Sequence, residues 1–116
     1  MKLLAAVAAF ACLCAQTAWA HSQLTSAVPA DGSTVASPVE IDLSFSEDIN
    51  AKFSGIDILG ADGAKVMAEP AQLKDGKTFV LPLAKPLAAG SYRVDWHVLS
   101  ADGHKTKGSF AFTVKP

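Results

Sequence analysis

The chain has 116 residues, of which 18% are charged and half are hydrophobic, with a formal charge of −1. That length holds one small domain. The absence of any run of basic residues argues against nucleic acid as a partner and against tight docking on anionic lipid.

Residues 1–20 read as an export signal. Lys2 is a short basic start, an apolar stretch runs from Leu3 to Leu13, and Ala18-Trp19-Ala20 offers the small residues that signal peptidase needs at positions −3 and −1. The segment is too short, and too soon followed by polar sequence, to span a membrane. Cleavage after Ala20 is expected to leave a domain of residues 21–116, exported to the periplasm, with no membrane insertion of its own. Both cysteines, Cys12 and Cys14, lie in the signal, so that domain would have no disulfide and no thiolate metal site. Losing Lys2 moves its formal charge to −2.

His21 to Val28 reads as an extended lead-in with Leu24 and Val28 as its apolar contacts, followed by the turn cluster Pro29 to Ser33. Pro38 opens the clearest strand, where Val39, Ile41, Leu43 and Phe45 alternate with Glu40, Asp42, Ser44 and Ser46. Such period-two alternation buries one face and wets the other. Ile56 and Ile58 mark a short strand from Gly55 to Leu59, and Ala61-Asp62-Gly63 is a hairpin-type turn into Lys65-Val66-Met67. Asp75-Gly76 turns into Thr78 to Leu83, where Phe79 and Leu81 share a face and Pro82 points to an edge strand. Ser91 to Leu99 puts Tyr92, Val94, Trp96 and Val98 inward and Arg93, Asp95 and His97 outward, and the last strand places Phe110, Phe112 and Val114 inward. About seven short strands with no helical periodicity predict an all-β, antiparallel Greek-key sandwich or barrel centred on Trp96 and the phenylalanines.

The chemistry is concentrated at the two ends of this domain. As an N-terminal residue, His21 would offer its α-amine and its ring Nδ1 as one chelate on a metal. Unperturbed, these groups titrate near ~7.7–8 and ~6.5, so both are available as neutral donors around neutral pH. A further imidazole and a carboxylate would complete the tetragonal N,O environment that suits Cu(II). Asp102-Gly103-His104 offers that pair. Ala-Asp-Gly also occurs at Ala30 and Ala61, where it reads as a turn, so Asp102 by itself reads first as a turn residue. His104 distinguishes the third copy, because residues i and i+2 of an extended segment point to one side and Gly103 lets the backbone bend between them. His97 is the competing histidine, held on a rigid strand beside Asp95 with little freedom to reach the terminus. Glu47, taken alone, is a solvated loop acid. Met67 is the one methionine after the signal, too few for a soft Cu(I) site.

Leu43-Ser44-Phe45-Ser46-Glu47, Gly90 to Trp96, Val98 to His104 and Gly108 to the end, together with His21 after the signal, resemble the CopC family of small periplasmic copper-binding proteins. The resemblance covers essentially the whole domain. It implies an immunoglobulin-like or cupredoxin-like sandwich binding one Cu(II) per chain through His21 (amine and ring), Asp102 and His104. Glu47 matches an acid that lies beside the site and hydrogen-bonds it. Some members carry a methionine-rich Cu(I) site, which this sequence lacks. The implied role is copper homeostasis or resistance, by sequestering the ion or handing it to a CopD-type inner-membrane transporter. An enzymatic alternative exists, since lytic polysaccharide monooxygenases also bind copper through an N-terminal histidine. They are much larger, with loops forming a flat substrate face, whereas this domain has no such loops and its tryptophan reads as core. The expectation is therefore a binding module and not an enzyme.

Overall fold

The computed structural model describes residues 23–116, so His21 and the proposed cleavage point lie outside the described residues. Eight strands run in chain order: β1 (Leu24–Val28), β2 (Thr34–Val35), β3 (Glu40–Phe45), β4 (Gly55–Gly60), β5 (Gln72–Leu73), β6 (Thr78–Pro82), β7 (Gly90–Leu99) and β8 (Lys105–Val114). One turn of 3₁₀ helix, Ala51–Phe53, separates β3 from β4. The strands form two four-stranded sheets, ordered β1-β3-β6-β5 and β2-β8-β7-β4. Pairing of β3 with β6 and of β4 with β7 across intervening sequence gives the crossed connections of a Greek-key sandwich. All pairings are antiparallel except the short β2–β8 contact at Thr34–Val35, which is parallel. Among the described residues, no helix is long and apolar enough to cross a membrane.

Alternation along the strands builds the core. Ile41, Leu43 and Phe45 of β3 and Phe79 and Leu81 of β6 face Ile56 and Ile58 of β4, Val94, Trp96 and Val98 of β7, and Phe110, Phe112 and Val114 of β8. Trp96 meets Phe45 of the opposite sheet edge-on at 5.2 Å between ring centroids. Its indole lies so close over β8 that a Cβ on Gly108 would stand 2.5 Å from Cζ2. Tyr92 stacks on Phe112 at 5.6 Å, and its hydroxyl donates to the Ala88 carbonyl at 2.6 Å.

Four sequence expectations are corrected. Val39 has the parity of the β3 core residues but precedes the strand, lies outside the packed core and is 79% exposed. Val28, at the end of edge strand β1, is exposed as well, and Ala27 packs on the core in its place. Met67 lies in irregular chain between β4 and β5, not on a strand. Finally, β6 is an interior strand between β3 and β5. Pro82 is tolerated there as its last residue: β5 pairs only with Phe79 and Val80, and beyond it Pro82 uses only its carbonyl, which accepts from the Glu69 N–H at 3.0 Å.

Candidate metal centre

Ser100 to His104 connects β7 to β8. Ser100 and Gly103 are the first and fourth residues of a turn closed by the Gly103 N–H donating to the Ser100 carbonyl at 2.9 Å, serine and glycine being favoured at those places. Gly103 has φ +93°, a left-handed conformation that suits glycine. The Ser100 N–H donates to the His104 carbonyl at 2.8 Å, closing the loop's base.

The turn brings Asp102 and His104 together. Asp102 Oδ1 accepts from the His104 N–H at 3.2 Å and stands 3.1 Å from His104 Nδ1. The same oxygen accepts from the hydroxyl of Ser100, the one buried polar residue among the described residues. That hydroxyl bond, followed by the two contacts with His104, holds the Asp102 carboxyl below its ordinary range. These contacts all fall on Oδ1; Oδ2 takes no part in them. An ionised carboxylate and an imidazole thus lie side by side on an exposed loop.

The three Ala-Asp-Gly copies share their turn chemistry. Gly32 and Gly63 also have positive φ, and Asp62 Oδ1 accepts from the Ala64 N–H at 3.0 Å as Asp102 does from His104. Only the third copy adds a buried serine beneath the aspartate and a histidine beyond it. Ser100 went unnoticed in the sequence; its position at the start of the turn was the available signal.

The 46–49 segment carries Glu47 to the same end of the sandwich. The Ala101 N–H donates to the Asp48 carbonyl at 2.9 Å, and Ile49 bridges to Ser100. Glu47 is half-buried in this segment. The preceding residue ties down the start of the described chain: the Ser46 N–H donates to the Gln23 carbonyl, and Ser46 Oγ accepts from the Gln23 N–H, both at 2.9 Å. The entry to β1, the Glu47 segment and the Asp102–His104 loop are therefore consecutive neighbours. His97 is apart from them, exposed on the outer face of β7 with its ring over Gly55 of β4. Among the described residues, no group of three or more His, Asp or Glu side chains is placed to hold a metal by itself.

Fold and loop together define a small two-sheet sandwich module with a carboxylate–imidazole pair at one end. Comparison with known proteins makes this particular: the CopC domain model matches residues 24–115, and the chain belongs to that family. It is 46% identical over 100 residues to Protein YobA of Escherichia coli strain K12, covering 84% of this chain and 81% of that one. The crystal structure of PcoC, a methionine-rich copper resistance protein from Escherichia coli, superposes with a TM-score of 0.75 at 42% identity, covering 83% of this chain and all of that one. The copper transport protein CutJ of Bacillus subtilis is 26% identical over 102 residues; these cover 85% of this chain but 19% of that longer protein.

Proposed function

We propose that the protein is a periplasmic Cu(II)-binding module that sequesters the ion or delivers it to a membrane transporter, and that it is not an enzyme. The convergence of the Ser100–His104 loop, the Glu47 segment and the entry to β1 at one end of the sandwich carries this reading. Asp102 and His104 supply two donors. His21 stands two residues before Gln23, within ~7 Å of fully extended chain, and after cleavage would add an amine and an imidazole as a chelate. Three nitrogens and a carboxylate fit the tetragonal N,O preference of Cu(II). Since Oδ1 of Asp102 is taken up within the loop, Oδ2 is the oxygen assigned to the metal. Glu47 is assigned a supporting role beside the ligands.

Family membership supports copper as the cargo, as does the naming of relatives for copper resistance and copper transport. The match to a small fraction of CutJ supports delivery, because a domain of this kind is there part of a longer transport protein. Unlike methionine-rich PcoC, this chain has a single methionine after the proposed signal, and that one is exposed between strands. The cargo is accordingly assigned as Cu(II) alone.

Electron paramagnetic resonance of the processed protein with one equivalent of Cu(II) tests the assignment. A tetragonal signal with nitrogen hyperfine structure is expected, lost or altered in His104→Ala. Retaining one residue before His21 should abolish the amine–ring chelate and weaken binding by orders of magnitude. Unchanged affinity in that form would remove His21 from the site. Mass spectrometry of periplasmic material should show histidine as the first residue.

A further inference from the structure

We propose that the outer face of the second sheet, beside the Asp102–His104 loop, docks an acidic face of a protein partner through Phe53, His97, Lys105 and Lys107. This rests on the carrier role proposed above and locates the receiving protein. The sequence has no run of basic residues, yet the fold assembles one. Register places His97 opposite Lys107 and Leu99 opposite Lys105, and Gly55 of β4 lies on the other side of His97. Beside them the 3₁₀ turn presents Phe53, 57% exposed, with Lys52 Nζ 5.8 Å from its ring centroid. Phe53, His97, Leu99, Lys105, Thr106 and Lys107 line a depression of about 600 Å³.

Lys52 thus stands beside an exposed aromatic ring, and His97, Lys105 and Lys107 line the same depression as that ring, on a chain whose formal charge is −1. Two acids of the same face, Asp57 and Asp95, line the adjoining depression with His97 and Lys107, but each is already paired with a cation of its own: Asp95 with Arg93 at 2.9 Å and Asp57 with Lys65 at 3.6 Å. Potentials across protein interfaces are complementary in sign, and aromatic anchors are enriched at their cores. Positive charge beside an apolar ring therefore selects a partner presenting carboxylates beside an apolar side chain. Position gives the surface its use. Lys105 directly follows His104, so a partner seated here would abut the metal-binding loop, and the ion would have a short path to travel.

The test is a nuclear magnetic resonance titration of the copper-free, ¹⁵N-labelled processed protein at low salt. The probes are a soluble Glu-rich peptide carrying one leucine, its Lys-rich counterpart, and phosphatidylcholine vesicles containing phosphatidylglycerol. Amide shifts centred on Phe53, His97, Lys105 and Lys107 are expected with the acidic peptide and none with the basic one. Lys107→Glu should weaken that binding by about tenfold, and Phe53→Ser should weaken it while leaving the thermal midpoint near the parent value. Equal shifts at Lys74, Lys77 and Lys85 would overturn the proposal, as would unchanged binding by Lys107→Glu. Binding of the vesicles in place of the acidic peptide would reassign the patch to a membrane and likewise overturn it. Since the titration uses no copper, its failure leaves the metal assignment intact. The Cu(II) resonance spectrum of Lys107→Glu reads that assignment separately.

Discussion

Ser100 is 1% exposed, and its single hydroxyl proton has two acceptors in reach, Asp102 Oδ1 and the His104 carbonyl at 3.1 Å. The carboxylate contact dominates, since a charged acceptor makes the stronger bond. Ser100 thereby fixes the aspartate that the proposed site uses. Ser100→Ala should cost about 1–2 kcal/mol of stability in urea unfolding, and about tenfold in Cu(II) affinity, the lower end for loss of a supporting partner. His104→Ala should cost more than the ~100-fold upper end of that range, and far more than His97→Ala; competition titration against a Cu(II) chelator measures both. The reverse order would make His97 the ligand. Affinity should also fall below about pH 6, because protons compete for nitrogen donors there, while Asp102, with its carboxyl held low, stays ionised throughout that range. At this scale the sequence was partly legible. The i, i+2 spacing of Asp102 and His104 and the bend at Gly103 could be read directly. The place of Ser100 at the start of the turn could be read as well, but its burial could not, because a serine reveals its burial only once strands close over it.

At the scale of elements, alternation was read correctly wherever two sheets face each other. Val94, Trp96 and Val98 on β7 and Phe110, Phe112 and Val114 on β8 are buried as their spacing requires. Parity says which face a residue lies on, but not where the packed core ends, and so Val39 and Val28 were misplaced. Pro82 shows a similar limit: a proline ending an interior strand and a proline on an edge strand leave the same trace in sequence. The seating of the Trp96 ring against β8 was also hidden. Gly108 pairs with Trp96, and the indole occupies the space a side chain would need. Neither the tryptophan, wedged against Phe45, nor the β8 backbone can yield easily. Gly108→Ala should therefore destabilise by about 1–3 kcal/mol, the usual cost of overpacking. A chemical denaturation midpoint measures it, with tryptophan fluorescence reporting the displaced ring. An unshifted midpoint would show that β8 relaxes freely there.

The whole molecule must hold together without a disulfide if cleavage occurs as proposed, and its acid response follows from a few carboxylates. Asp95 accepts from Ser109 Oγ at 2.8 Å and from Arg93, tying β7 to β8, and these bonds pull its carboxyl below the ordinary 3.8. Asp75 is lowered from the same value by accepting from the Lys77 and Thr78 N–H groups in the β5–β6 turn. Where the folded state holds a carboxyl below its unfolded value, the unfolded chain binds the proton more readily. The resulting stabilisation is complete well above pH 3.8 and disappears as pH falls from there through the depressed folded values. Glu40 has the opposite sign. Its carboxyl is raised from 4.5 by a hydrogen bond with Asp42, so ionising it above that pH removes a proton the folded state prefers to keep. Asp75 and Asp95 should thus make the copper-free protein lose stability as pH falls below about 4, while Glu40 works against stability above 4.5. Asp75→Asn with Asp95→Asn should lower the plateau and flatten the acid limb, whereas Glu40→Gln should leave the acid limb in place and raise the thermal midpoint at neutral pH. Urea midpoints between pH 7 and pH 2.5 separate these outcomes, and an acid limb equally steep in the double variant would place the acid sensitivity elsewhere in the sandwich.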